Sequence, residues 1–532
     1  MQSIELRLRA TLATLLLALL LPVALAQGTA LPQGGIVRIA LTAQPETLNP
    51  VLIGELSSSI VNGAIFTPLT RMNPKTFAVE PYLAERWESN AELTEWTFYL
   101  NQDAKWHDGV AVTAADVQFT FERIMDPAES AANFRDVQDL VRVDVIDDHT
   151  VRFVLSSANG LFPDLLSLGS LEPLPKHLFE GYARLNEAVA LNTSAPIGSG
   201  PFKFKSAEVG SYIELEAFDD FFLGRPNVDG LLFNIIPDIN VRVARLRAGD
   251  LDWIDIDGIH VAQIENDSRF EIVHAGSTRF QALDLGFLGP YGHLWEDPRV
   301  RIAMNHAIDK QLILETVAMG FGELMGPNLI PSWIDWVPDP EVESYGYDPE
   351  RARELMAEAG WTPNGQGILE KDGQTFSFYI LVDRGNTERE QIGLVVQQSL
   401  NAIGMDVEYI LAERTGRWAQ ETRENIFPAR MTEHPTPHPI WFSRIWHSNG
   451  VFNRGYSNPE ADAVIDRTIL TSDREEQGRL FQEAQELMYA AVPDITFHLR
   501  DLLLAVNRNL RGVEGEINLS MHYSHLLYFE RP

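Results

Sequence analysis

EWTFYLNQDAKWHDGVAVTAADVQFTFERIM, residues 95–125, sets out a strand, a turn and a helix in one run. Trp96, Phe98 and Leu100 alternate with polar neighbours, the period-two pattern of a half-buried strand. Asp103 and the Asp108-Gly109 pair supply turn chemistry, and Val110 and Val112 resume the alternation. Thr113 and Asp116 have the T-x-x-D spacing of a capping box, in which the hydroxyl takes an orphan N–H and the acid reaches back to the cap. Val117, Phe121 and Ile124 follow at helical spacing, so the run is that of a mixed α/β chain. His107, inside the WHDG turn, reads as a surface or hydrogen-bonded side chain rather than a catalytic one.

The 532 residues around this stretch allow some three lobes at roughly 150 residues each. Hydrophobic content of 45% and charged content of 22% are those of a globular protein. At the amino terminus, Arg7 and Arg9 precede an apolar run from Leu12 to Leu21, a Pro22 break and Ala24-Leu25-Ala26, which predicts a secretory signal peptide over residues 1–26. That run is short of the ~20 apolar residues a spanning helix needs, and none follows it, so no stable membrane insertion is expected. Absence of cysteine excludes disulfides, thiolate metal sites, a cysteine nucleophile and a lipid-bearing cysteine. The expected location is therefore the periplasm, in free diffusion. A formal charge of −33, one unit more negative after loss of residues 1–26, repels nucleic acid and anionic membranes.

GIVRIAL, residues 35–41, reads as a first strand, and the polar loop TAQPETLNP leaves its end carrying Gln44 and Asn49. Loops at the carboxyl ends of strands are where α/β lobes gather ligands, although a plain connection fits any single residue there. The helix and strand of VRVARLRAGDLDWIDIDG deliver Asp257 and His260 in the same way. Capped amphipathic helices dominate after FQALDLGF. Val300, Met304, Ala307 and Ile308 share one face, continued by Leu312. Asp348, Pro349 and Gly360 cap, start and stop the next helix, and Thr387 with Glu390 forms a second capping box. Glycines 198 and 200 in API-GSGPFKF lack the lysine and helix of a phosphate loop and are backbone geometry.

The strand with KWHDG and TAADVQFTFERI, the GSGP segment, DPRVRIAMNHAIDK and YDPERARELMAEAGW together resemble the family 5, peptide-type extracytoplasmic solute-binding proteins of ABC importers. The resemblance implies a two-lobed α/β periplasmic binding protein (type II, large cluster) with a cleft between the lobes. Lobe I would take residues 27–65, 196–284 and 494–532, with an inserted subdomain at 66–195, and lobe II residues 285–493. Extended crossings near 280 and 495 would form the hinge. The implied partners are a small-molecule solute and a membrane permease, the implied state is a monomer, and no cofactor is expected.

Candidate ligand-binding residues follow. Arg384 in LVDRGN stands where the resemblance puts a carboxylate partner in dipeptide-binding relatives; an exposed surface arginine is the alternative. Trp418 stands at a pocket tryptophan of oligopeptide-binding relatives, or belongs to the core. In peptide-binding relatives the segment corresponding to the loop from Arg430 to His447 reads roughly G-W-x-x-D-x-x-D-P, with an aspartate for the peptide's amino group. Here the segment holds Thr432, Glu433, His434, Pro435, His438 and Pro439 instead. Glu433 could replace that anion, and His434 with His438, near His447, raises a metal reading that their proline-broken spacing opposes. Trp441 packs or offers an aromatic wall. These residues favour a receptor for a modified peptide or amino-acid conjugate bearing a carboxylate, with an oligosaccharide or metal chelate as the alternative. Neither HExxH nor GxSxG occurs, which weighs against an exported hydrolase.

Overall fold

The computed structural model describes residues 31–513 and 520–530 except 54, 132, 168, 170, 276–278 and 436–437, so the predicted signal peptide lies outside the described residues. Two large sheets carry the fold. The first has seven strands, with Ile36–Leu41 parallel to Gly230–Ile235 and Trp253–Ile256, and Leu503–Asn507 inserted antiparallel between Trp253–Ile256 and Phe270–His274. The second has six, with Arg279–Leu285 antiparallel to Ala429–Pro435 on one side and Asp494–Leu499 on the other. Two strands that the sequence reading placed in the first lobe, Arg279–Leu285 and Asp494–Leu499, thus hydrogen-bond in the second sheet. The chain crosses between sheets just before Arg279 and just after Leu499, where Arg500 N–H donates to the Arg279 carbonyl and Ala275 N–H to that of Leu502.

Residues 95–125 supply one strand of a four-stranded antiparallel sheet and the helix that follows it. Glu95–Leu100 pairs with Ala84–Ser89 and Thr150–Leu155, and the latter forms a hairpin with Leu140–Asp147. Trp96, Phe98 and Leu100 are buried as their alternation requires, and Thr113 N–H donates to Asp116 Oδ2 at 2.8 Å at the start of helix Ala114–Met125. Val110 and Val112 do not form a strand: a single bridge joins Lys105 to Ala111, and Val110 is exposed. The core of this sheet is continuous with that of the seven-stranded sheet, Phe98, Phe121 and Phe153 packing in one cluster with Val37, Leu231 and Trp253.

His107 makes that join specific. Its Nδ1 accepts from Gly198 N–H at 3.2 Å and its Nε2 lies 3.0 Å from the Gly200 carbonyl, an arrangement that calls for the neutral Nε2–H tautomer. A Cβ on Gly198 would meet the Ile65 carbonyl at 2.0 Å, so the two glycines allow backbone to lie on backbone. Burial lowers His107 to about 4, and burial together with Arg71 does the same to His522 and His525. A histidine held neutral in the fold takes up its proton on unfolding, so each contributes stability that is lost as pH falls from about 6.5 toward 4. Imidazole resonances of these three histidines are expected to stay neutral down to about pH 4; protonation near 6.5 in the folded protein would contradict this packing.

In the second lobe, Asp348 caps Pro349–Glu358 by accepting from Arg351 N–H, and Gly360 turns with φ +90°. Val300, Met304, Ala307 and Ile308 are buried, but the helix ends at Ala307, Asp309 caps a new one, and Leu312 is exposed. The cap of Thr387–Ala402 is Asn386, one residue before the predicted Thr387, with Glu390 accepting from Gly385 N–H. Asparagine accepts as well as threonine does, so the box shifts by one residue. No described helix is long and apolar enough to cross a membrane.

Candidate functional site at the facing strand ends

Parallel strands bring one end of each sheet to the crossings. In the first sheet, Ile36–Leu41 and Trp253–Ile256 release Gln44 and Asp257. In the second, Ser377–Asp383 and Asp406–Ala412 release Arg384 and Glu413, and Ala429–Pro435 ends beside them with Pro435 opposite Arg279. Carboxyl ends of strands present loops and unsatisfied backbone groups, the usual setting of a ligand cleft.

A cavity of about 280 Å³ opens between the sheets at this end. Asp257 and Ile259 line it from the first sheet, Asn386, Glu388 and Gln391 from the second, and Arg500 from the crossing. Arg500 spans it, with Nη2 2.7 Å from Asp257 Oδ1 and Nε 3.4 Å from Glu388 Oε2. His498 Nε2 lies 2.9 Å from the other oxygen of Glu388. Burial pushes the Glu388 carboxyl up, but His498 and Arg500 outweigh it and hold it below the usual range.

Behind the strand ends lies a buried polar chamber. Asp284 receives Arg430 Nη2 at 2.7 Å, Arg454 Nε at 3.3 Å and His434 Nε2 at 2.6 Å. Asp494 faces it across the neighbouring strand, with Trp446 Nε1–H donating to it at 3.2 Å, beside a cavity of about 20 Å³, room for one water. Burial and the Asp284 charge push Asp494 up to about 7, and burial lowers Lys310 to about 8. Asp284, His434 and Asp494 bring ligand atoms within 4.8 Å of one another, a possible metal donor set. Arg430 and Arg454 already pair with Asp284 and both of its oxygens are engaged, which weighs against an added cation there.

The model for bacterial extracellular solute-binding proteins, family 5, matches residues 78–453. The oligopeptide-binding protein AppA of Bacillus subtilis is 30% identical over 491 residues, covering 90% of this chain and 89% of AppA. This chain belongs to family 5 of the bacterial extracellular solute-binding proteins. The structure of Bacillus subtilis AppA in complex with a nonapeptide superimposes with a TM-score of 0.78 at 27% identity, over 94% of this chain and all of that one. Heme-binding protein A of Haemophilus influenzae is 26% identical, covering 84% of each chain. The fold is thus that of a two-lobed periplasmic binding protein, and the chain is a solute-binding protein of the ABC-importer type, not an enzyme.

Within this family 5 protein, the residues singled out from sequence divide. Asp257 lines the interlobe cavity. Arg384 stands exposed at its strand end, Nε 2.8 Å from the exposed Glu413 carboxylate. Gln44 braces the first lobe, its Oε1 accepting from Gly210 N–H at 2.8 Å. Glu433 is held by Arg279 Nη1 at 3.2 Å and Gln281 Nε2 at 3.3 Å. Trp418 is partly buried, with the guanidiniums of Arg414 and Arg430 at 5.5 and 5.4 Å from its ring. Trp441 is partly buried beneath Arg444, 4.5 Å away.

The three histidines do not converge. His434 goes to Asp284, His438 to Asp164 with Nε2–Oδ1 at 2.9 Å, and His447 to Asp466 at 3.2 Å. The extended strand and the prolines send them to three separate carboxylates, so the paired-histidine metal reading is set aside. Arg500, Glu388, Asp284 and Asp164 were missed. For Asp284 the hint is an acid set among the apolar residues of FQALDLGF.

Proposed function

We propose that this protein is a periplasmic receptor that captures a small, carboxylate-bearing solute between its lobes and delivers it to the permease of an ABC importer. The observation that carries this reading is a pair of facing strand ends that offer an interlobe cavity of about 280 Å³ and, beside it, the exposed Arg384. That volume lies just below the usual range of ligand pockets, roughly 300–1,000 Å³, and suits an amino-acid conjugate or short modified peptide better than a long chain. An exposed pair such as Arg384–Glu413 is worth about 0–1 kcal/mol, so an incoming carboxylate displaces Glu413 at little cost. No aspartate occurs among residues 432–439, and Glu433 is already engaged, which disfavours a peptide with a free amino terminus.

Native mass spectrometry of the purified protein is expected to release a solute with a carboxyl group. Arg384→Ala should weaken that solute's binding about 10- to 100-fold in calorimetry, the loss of one charge-assisted bidentate contact, with little change in Tm. A solute without a carboxylate, or equal affinity in the variant, would sink the reading.

A further inference from the structure

The four-stranded subdomain moves with the first lobe, because the two share one core and His107 fastens their join. It also touches the second lobe through charged groups, of which the Asp164 carboxylate is out of water. Asp164, in the subdomain helix Phe162–Leu165, is about 1% exposed. Arg474 Nη2 donates to its two oxygens at 3.0 and 3.2 Å from the start of Arg474–Ala491. His438 Nε2 sits 2.9 Å from Oδ1, a close polar contact although the ring is turned off the hydrogen-bond line. His438 Nδ1 accepts from Ile440 N–H at 3.2 Å, which leaves the proton on Nε2, toward Asp164.

The surroundings seal this contact. Trp336 lies over the Arg474 guanidinium at 4.5 Å, and its ring is 6.2 Å from His438. Gly160 N–H donates to the Ile469 carbonyl at 2.6 Å, and Phe77 packs on Trp333 with centroids 4.6 Å apart. Arg444 Nη2 reaches Asp136 Oδ1 at 2.6 Å. The two carboxyls are shifted in opposite directions. Burial pushes the Asp164 carboxyl up, but His438 and Arg474 overcome it and hold it low, whereas at Asp136 burial outweighs Arg444 and the carboxyl is raised. Asp164 meets two second-lobe side chains, Arg474 and His438, where Asp136 meets Arg444.

We propose that Asp164, His438 and Arg474 form an ionic lock between the subdomain and the second lobe, holding the cleft closed and setting how readily it opens. Opening the cleft would part the subdomain from the second lobe here, and Asp164 would then give up two charge-assisted hydrogen bonds to Arg474 and its contact with His438. The lock therefore shifts the open–closed equilibrium before any solute arrives, and solute binding adds to it. His438, aligned by resemblance with a residue of the ligand loop, acts here as a positioning residue.

Small-angle X-ray scattering tests this on the full chain, stripped of solute by dialysis in urea and refolded. Asp164→Asn is expected to raise the radius of gyration and to move the open-to-closed ratio by about tenfold or more, as loss of a buried charge pair implies. Asp252→Asn, which breaks the Arg38–Asp252 pair inside the first sheet, should melt earlier without expanding. If Asp164→Asn does not fold, Arg474→Gln decides, since that side chain is 32% exposed. A folded Asp164→Asn or Arg474→Gln protein with wild-type dimensions overturns the lock. So does a stripped wild-type protein already as expanded as the variants.

Discussion

Asp284→Asn is expected to cost about 3–5 kcal/mol of unfolding free energy, read as a lower urea midpoint. The substitution keeps the shape and removes the charge that Arg430, Arg454 and His434 share, leaving two guanidiniums short of an anion inside the second lobe. Burying an unpaired charge is far more expensive than forfeiting the pair, which is why the single change should be severe. Asp494 supplies an independent readout. Part of what raises it to about 7 is the Asp284 charge, so its midpoint should fall in the variant. A loss under about 1 kcal/mol with Asp494 unmoved would show that the chamber is held by packing alone.

Arg301→Met should cost about 2–4 kcal/mol, because Arg301 closes the end of another helix rather than pairing with an acid. Its Nε donates to the Val492 carbonyl at 2.9 Å and its Nη2 to the Ala491 carbonyl at 2.7 Å, at the terminus of Arg474–Ala491; Nη1 donates to the Trp295 carbonyl. Methionine fills the volume and leaves these carbonyls without a donor in a site from which water is excluded. Arg301→Lys should recover only part of the loss, since an ammonium has no planar fork to divide among carbonyls. Equal urea midpoints for Arg301→Met and wild type would refute the assignment. The contact also bears on the lock, for this helix begins with Arg474.

Much of the fold was legible because local chemistry and tertiary placement agree. Alternation at Trp96, Phe98 and Leu100 required one buried face, and the structure buries it. Asp348, Pro349 and Gly360 carry their helix boundaries in their own side chains and backbone preferences. The limits of the second lobe were less legible. Arg279–Leu285 and Asp494–Leu499 read as strands in either lobe, and only hydrogen-bond pairing with Ala429–Pro435 assigns them. The histidines were misleading for a related reason, since spacing along an extended proline-rich loop says nothing about which carboxylate each ring meets.

The sequence by itself determined the family, the mixed α/β class and the order of its elements, because WHDG, the caps and the buried alternation are local signals with local physical causes. Only the tertiary structure decided the electrostatics. It placed Arg500 across the cleft on Asp257 and Glu388, Arg430 and His434 on Asp284, and His438 with Arg474 on Asp164. Partners such as Asp164 and Arg474 lie 310 residues apart along the chain. Charges pair through space, and burial sets their strength, so neither the partner nor the strength is written in the residues on either side.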